Sequence, residues 1–293
     1  WGMRLRELLA YSCIGSIVLA CVLIWFHPAT GDFEPDNPYW NGLKDFVSEY
    51  DVIVIKSLQD VPEGEGSVLF EIPYRPYETW ELEVLLRFLQ GGGTLVLMDD
   101  YGYGNEILSY LGLDVRFGGT PLLDPLFNYK NKWFPRITNI SDTPITSGVS
   151  TLILNHATAL VNTSDVEVLA WSSRISFLDL DGDLTWDRGE PVGPLPVLAC
   201  TRVGRGMLII VSDPSIVINS MINMEDNSVL ISNIVGTSSV VLFDASHIPE
   251  TPLSKAKSDL RYAVSVISSP TISPLFCATL IIFFLRRLWL KGD

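Results

Sequence analysis

Gly91–Leu113 reads GGGTLVLMDDYGYGNEILSYLGL, and the fold turns on it. Thr94–Met98 is an unbroken apolar run of strand length, the pattern of a strand covered on both faces. Gly91, Gly92 and Gly93 release the chain from a preceding helix. Asp99, Asp100, Tyr101, Gly102, Tyr103, Gly104 and Asn105 then form a turn of residues that bend or bond the local backbone. Glu106–Leu111 resumes helical spacing, with Ile107, Leu108 and Leu111 on one face. Strand, polar turn and helix together make the unit that places ligands or nucleophiles at the carboxyl edge of a parallel sheet.

Upstream, Asp32–Trp40 is a polar linker, Trp40–Glu49 reads as a helix and Asp51–Ile55 as a buried strand. After a Tyr74–Tyr77 loop, Thr79–Leu89 is amphipathic, with Leu82, Leu85, Leu86 and Leu89 as its stripe and Thr79 as its cap. Downstream, Asp114–Ser150 is irregular and carries Pro121, Pro125, Pro135 and Pro144. Thr151–Leu154, Val166–Trp171 and Leu195–Arg202 read as shorter strands added antiparallel near one edge. Gly204, Arg205 and Gly206 turn into the strand Met207–Ser212, Asp213-Pro214-Ser215 opens a second strand-turn-helix unit, and Asp226-Asn227 caps a helix through Ile234. The alternation predicts an α/β fold, a mostly parallel sheet with helices on both faces.

The chain is apolar for a soluble protein, 47% hydrophobic and only 18% charged. Leu8–Phe26 holds no charge and is long enough to cross a hydrocarbon core. Val264–Leu285 is a second uncharged run, interrupted by Pro270 and Pro274. Two transmembrane helices are expected, inserting the chain twice into the lipid bilayer of a plasma membrane. Arg4 and Arg6 precede the first run, Asp32, Glu34 and Asp36 follow it, and Arg286, Arg287 and Lys291 follow the second. That bias predicts cytoplasmic termini. The expected organisation is a tail and span over 1–27, an extracytoplasmic domain over 28–250, a juxtamembrane linker over 251–263, and a second span with a basic tail over 264–293. His27-Pro28-Ala29-Thr30 is a poor cleavage site, so an uncleaved anchor is expected, and a start at Trp1 reads as an incomplete N-terminus.

Cys13, Cys21 and Cys277 lie in the apolar runs, which leaves Cys200 without a disulfide partner in the domain. A net charge of -14 argues against nucleic acid as a partner.

Asp179-Leu180-Asp181-Gly182-Asp183-Leu184-Thr185-Trp186-Asp187-Arg188-Gly189-Glu190 sets acids at loop positions 1, 3, 5, 9 and 12. A hard cation needs six to eight oxygens, and this spacing supplies them from Asp179, Asp181, Asp183, Asp187 and Glu190 with the Thr185 carbonyl. Leu184 stands where an EF-hand has Gly, and Ile175–Leu178 reads as a strand, so a structural Ca2+ in a hairpin loop is expected. An acidic turn held by Gly182 and Gly189 is the alternative. Asn139-Ile140-Ser141 and Asn162-Thr163-Ser164 are glycosylation sequons, in keeping with an outside domain.

Two blocks carry a family resemblance. Tyr77–Gly112, with Glu81-Leu82, Gly92-Gly93-Thr94-Leu95, Asp99-Asp100, Gly104-Asn105-Glu106 and Leu111-Gly112, resembles the domain of unknown function family 4350. So does Gly204–Asn233, with Gly204-Arg205-Gly206, Ser212-Asp213-Pro214-Ser215 and Asp226-Asn227. The resemblance implies a membrane-tethered domain of class I glutamine amidotransferase-like fold, a flavodoxin-like three-layer sandwich, with no established activity. In that fold a nucleophilic Cys stands on the turn that Asp99–Gly104 matches here. This turn has no Cys, Ser or Thr, and His156 therefore has no nucleophile to activate.

The expectation is a non-catalytic module binding a ligand or partner at the cell surface. Its candidate residues are Asp99, Asp100, Tyr101, Asn105, His156, Asp213 and Ser215. One alternative is a metal-dependent hydrolase built on Asp99, Asp100 and Asp213. A plainer account of the same acids makes Asp99 or Asp100 a helix cap and Asp213 a turn holder with Ser215. Another alternative is an accessory subunit whose Gly15, Ser16 and Ala20 pack against membrane-protein partners.

Overall fold

Thr94–Met98 forms a strand in the interior of an eight-stranded sheet. The structure is a computed structural model that describes residues 5–236 and 238–289. The sheet comprises β1 (Ile53–Ile55), β2 (Ser67–Glu71), β3 (Thr94–Met98), β4 (Asn139–Ile140), β5 (Glu167–Trp171), β6 (Pro196–Val203), β7 (Gly206–Val211) and β8 (Val240–Asp244). Their spatial order is β1-β8-β2-β3-β7-β6-β5-β4.

The sheet is mixed rather than mostly parallel, which corrects the expectation. Pairings β1–β8, β8–β2, β2–β3 and β3–β7 are parallel, whereas β7–β6, β6–β5 and β5–β4 are antiparallel. The cause is local. Val203 pairs with Gly206, so Gly204 and Arg205 return the chain directly, a link open only to antiparallel neighbours. Gly204 takes φ +60°, a conformation that costs other residues strain. Apolar runs such as Thr94–Met98 report burial on both faces and say nothing of direction.

Alternate side chains of each central strand enter separate cores. In β3, Leu95 and Leu97 join a core with Leu85, Phe88 and Leu89 of α3 (Thr79–Gln90) and Ile107 and Leu108 of α4 (Gly104–Tyr110). Val96 and Met98 join the other. That core holds Phe46 of α2 (Lys44–Glu49) and Leu230, Ile231 and Ile234 of α5 (Asn227–Val235). The residue capping α3 is Glu78, not Thr79, and its N–H donates to Glu81 Oε2 at 2.8 Å. Short antiparallel pairs pin the irregular middle of the chain: Arg116–Phe117 with Leu160–Val161, Leu122–Leu123 with Phe177–Leu178, and Arg136–Ile137 with Leu152–Ile153.

The chain divides into two compact units, Thr30–Pro249 and a second made of Trp1–Ala29 with Glu250–Asp293. The second contains α1 (Leu5–Phe26), α6 (Pro252–Ile267) and α7 (Ile272–Trp289). Helix α1 has a mean hydropathy of 2.3, and none of it is buried. Among the described residues it alone is long and apolar enough to cross a membrane, so one such helix replaces the two expected. The apolar run Val264–Leu285 is broken between α6 and α7. Pro270 has no N–H to donate, and its ring disfavours helical backbone at Ser269. Arg4 and Lys291, and the side chains of Arg286 and Arg287, on which the expected orientation drew, lie outside what is described.

Candidate functional site

The carboxyl ends of β3 and β7 bring the sequence's candidate residues to one corner. The Asp99 carboxylate accepts from the Gly102 and Gly104 N–H groups, both at 2.7 Å. A Cβ on Gly102 would lie 2.3 Å from the Pro73 carbonyl oxygen, so only glycine fits this turn. Burial pushes the Asp99 carboxyl up to about 6, with the two amides holding it lower than burial alone would. Asp100 accepts from the Tyr101 N–H at 2.6 Å and is raised by burial.

Asp213 is fully buried and accepts from Ser215 N–H at 2.7 Å and Asn155 N–H at 2.6 Å. Burial, countered by the Asn155 amide and reinforced by the charge of Asp100, pushes it up to about 7. Asp213 thereby fixes the segment that presents His156. The Tyr101 hydroxyl donates to the His156 carbonyl at 2.7 Å. The His156 ring is exposed and stacks on Trp133 at 4.6 Å between centroids. The part of the side chain that is covered lowers its pKa by desolvation. Asn105 faces another way: its amide brackets Phe117, accepting from the N–H at 2.9 Å and donating to the carbonyl at 3.1 Å. The corner is thus assembled, with its carboxylates held by main-chain amides.

The hairpin after Phe177–Leu178 carries the second candidate set. Asp179 is buried and accepts from Gly182 N–H at 2.8 Å and Leu184 N–H at 3.1 Å. Asp181 and Asp183 are exposed, and each can offer an oxygen within 4.8 Å of one from Asp179. Asp183 accepts from the Thr185 N–H and hydroxyl, and Glu190 from Leu180 N–H and Asp187 N–H. The charges of Asp183, Asp181 and Glu190 raise the pKa of Asp187, with Asp183 acting most strongly. Leu184 and Thr185 also border a cavity of about 470 Å³, with Trp186, Ile175, Phe177, Val192, Pro125, Lys132 and Arg174 as its remaining lining. The Lys132 ammonium donates to the Leu184 carbonyl.

A third cluster falls on residues that the sequence pattern does not single out. Glu71 ends β2 and Asp244 ends β8, and the pairing Phe70↔Phe243 sets these two acids abreast. Both are fully buried, as is His247. The Tyr77 ring stacks on His247 at 4.0 Å and its hydroxyl donates to Glu71 Oε1. His247 Nδ1 lies 2.5 Å from Asp244 Oδ2 and 3.3 Å from Glu71 Oε1, and Nε2 lies 3.6 Å from Glu81 Oε2. Arg75 pairs with Glu81 at 3.1 Å. Burial, then the charge of Asp244, raises the Glu71 carboxyl well above the usual range, whereas His247 holds Asp244 below it against the effect of burial. The available signal is a repeat: SVLFE (67–71) and VVLFD (240–244) are apolar strands that each end in an acid.

Together these features define an α/β domain on a mixed sheet, whose polar groups gather at the carboxyl ends of the parallel strands. The chain belongs to the family described as Domain of unknown function (DUF4350), whose model matches residues 35–235. A search of curated proteins finds no match. Among solved structures, the chain is similar to an mmIFT52 N-terminal domain at 16% identity and TM-score 0.44, covering 57% of this chain and 76% of that one. It is similar to a beta-galactosidase from Bacillus circulans sp. alkalophilus at 16% identity and TM-score 0.38, covering 60% of this chain and 23% of that one. A cytoplasmic protein from Salmonella typhimurium LT2 gives 15% identity and TM-score 0.36, with 54% and 60% covered. Scores this low carry no argument about activity.

Proposed function

We propose that the chain is a non-catalytic binding domain, tethered to a membrane by α1, that takes a ligand with an apolar body and an anionic group. The cavity beside the Asp179–Glu190 hairpin carries this reading. Its volume of about 470 Å³ falls in the range of small-molecule sites, roughly 300–1,000 Å³. Ile175, Phe177, Trp186 and Val192 supply apolar wall, and Trp186 is 54% exposed. Covering such surface contributes about 25 cal/mol per Å². Lys132 and Arg174 supply positive charge for an anionic head. Catalysis is less well supported: the Asp99–Asn105 turn has no Cys, Ser or Thr, and the Asp99 and Asp213 carboxylates are engaged by amides.

In the same reading the Thr30–Pro249 unit lies outside the cytoplasm, with Arg6 on the inner flank of α1 and Asp32 and Glu34 beyond its other end. There Ca2+ staples the hairpin that forms one wall of the cavity, relieving the charge crowded around Asp187.

The test is a fluorescence titration of the detergent-solubilised chain with anilinonaphthalene sulfonate, an aromatic anion. The expected result is saturable binding with energy transfer from Trp186, loss of that binding in Trp186→Ala, and roughly tenfold weaker binding in Arg174→Gln, as for a lost charge-assisted hydrogen bond. Binding that is unchanged in Trp186→Ala, with circular dichroism showing a folded variant, would sink the proposal.

A further inference from the structure

The cluster at the ends of β2 and β8 is the least expected chemistry in the molecule. Three carboxylates, Glu71, Glu81 and Asp244, lie within a few per cent of complete burial. Among the described residues, Arg75, whose side chain is 44% exposed, forms an ion pair with Glu81 only, and its Nε donates to the Ser246 carbonyl. Like charges abreast on neighbouring strands repel, and removing them from water adds several kcal/mol per ion unless a positive charge compensates. His247 is the other group able to supply one, and it is flanked by carboxylates at both ring nitrogens.

We propose that Glu71, Asp244 and His247 form a binding site for one divalent transition-metal ion. Each offers a ligand atom, and these atoms lie within 4.8 Å of one another. A second observation points the same way. Glu71 Oε2 and His247 Nε2 are buried and have no hydrogen-bond partner among the described residues. Buried polar atoms are normally satisfied, so two orphans in one cluster mark a place for another ligand-binding group. Nε2 and Glu81 Oε2 are 3.6 Å apart, too far for a hydrogen bond. Glu81 lies on the Nε2 side of the ring, away from the Nδ1 that faces Asp244 and Glu71, so it stands outside the set of three.

The donor set indicates the class of ion. An imidazole nitrogen with carboxylate oxygens suits Zn2+, Mn2+ or Fe2+ and is foreign to Ca2+, which takes oxygen alone. The Tyr77 hydroxyl on Glu71 and the Ser246 groups on Asp244 orient the carboxylates from behind, as outer partners of metal ligands do. The position fits the fold, because ligands of α/β sheets gather at the carboxyl ends of parallel strands.

The experiment expresses the full chain in medium supplemented with Zn2+ or Mn2+ alone, purifies it in detergent, and counts bound metal by plasma mass spectrometry. Thermal unfolding is followed with and without a chelator. The expected result is one ion per chain, a melting temperature lowered by chelation, and both effects lost in Glu71→Gln and His247→Gln. Asp181→Asn, in the exposed hairpin, is expected to retain the ion. Glu71→Gln removes a buried charge while keeping the shape, so it stays folded even where His247→Gln does not. Metal retained in a folded Glu71→Gln overturns the proposal, and so does metal lost only in Asp181→Asn. A wild-type chain that holds no metal overturns it as well, because the three groups are then compensated by a proton or not at all.

Discussion

Replacing Asp213 with Asn is expected to flatten the dependence of stability on pH. The Asp213 carboxyl has a pKa of about 7 in the folded chain, against about 3.9 for an unfolded aspartate. A group whose pKa is raised on folding binds its proton more tightly in the native state. Its stabilising effect is complete below about pH 4 and is lost as pH rises towards 7. Between those limits the folded chain holds a proton that the unfolded chain has released, so stability falls by about 1.4 kcal/mol for each pH unit. From pH 5 to pH 7, with the slope easing as the folded-state pKa is reached, that amounts to about 2 kcal/mol. In Asp213→Asn the side chain carries no proton to lose. Its oxygen keeps one of the two amide bonds, from Asn155 or Ser215, and its NH₂ group opposes the other, a pH-independent cost of about 1–3 kcal/mol. The variant is therefore less stable than wild type at pH 5 and close to it at pH 7–8. Urea unfolding in detergent, followed by tryptophan fluorescence at half-unit steps of pH, measures both slopes. Equal slopes for wild type and variant would refute the reasoning, since Asp213 would then be ionised throughout.

Two further outcomes follow from other parts of the domain. Asn227 is wholly buried and bonds the N–H and C=O of Ile153 and the Met221 carbonyl at 2.9–3.1 Å, so Asn227→Ala is expected to cost about 3–5 kcal/mol in denaturant unfolding. Millimolar Ca2+ is expected to raise the melting temperature of wild type but not of Asp179→Asn/Asp183→Asn, and calorimetry that detects no Ca2+ binding to wild type would remove the staple from the proposed function.

Much of the fold can be read in the chain because burial writes simple patterns. The apolar run Thr94–Met98 and the leucine stripe of Thr79–Gln90 each need only local spacing to be seen. Strand direction is harder, since a strand covered on both faces has the same composition whichever way it runs. The break at Ser268–Thr271 shows the same limit: hydropathy counts residues, whereas one proline decides whether the helix continues. The corner built by Asp99 and Asp213 is visible as acids following apolar strands, but the hydrogen bond from the distant Asn155 amide to Asp213 is not. The Glu71–Asp244–His247 cluster was the least legible. An acid at a strand's end ordinarily marks the exit to solvent, and only the insertion of β8 beside β2 buries this pair together.

That insertion also constrains how the chain is made. Strand β8, the last in sequence, lies between β1 and β2, and Ile53 finds its partner in Leu242. Among the described residues the edge strand β1 has no other neighbour in the sheet. Until the ribosome has released the chain past Asp244, β1 has nothing to pair with and one side of β2 stays open. An unpaired apolar strand is a template for wrong partners. Synthesis therefore passes through a vulnerable interval, in which a helix able to anchor in a membrane is already complete while the sheet still waits for the strand that joins β1 to β2.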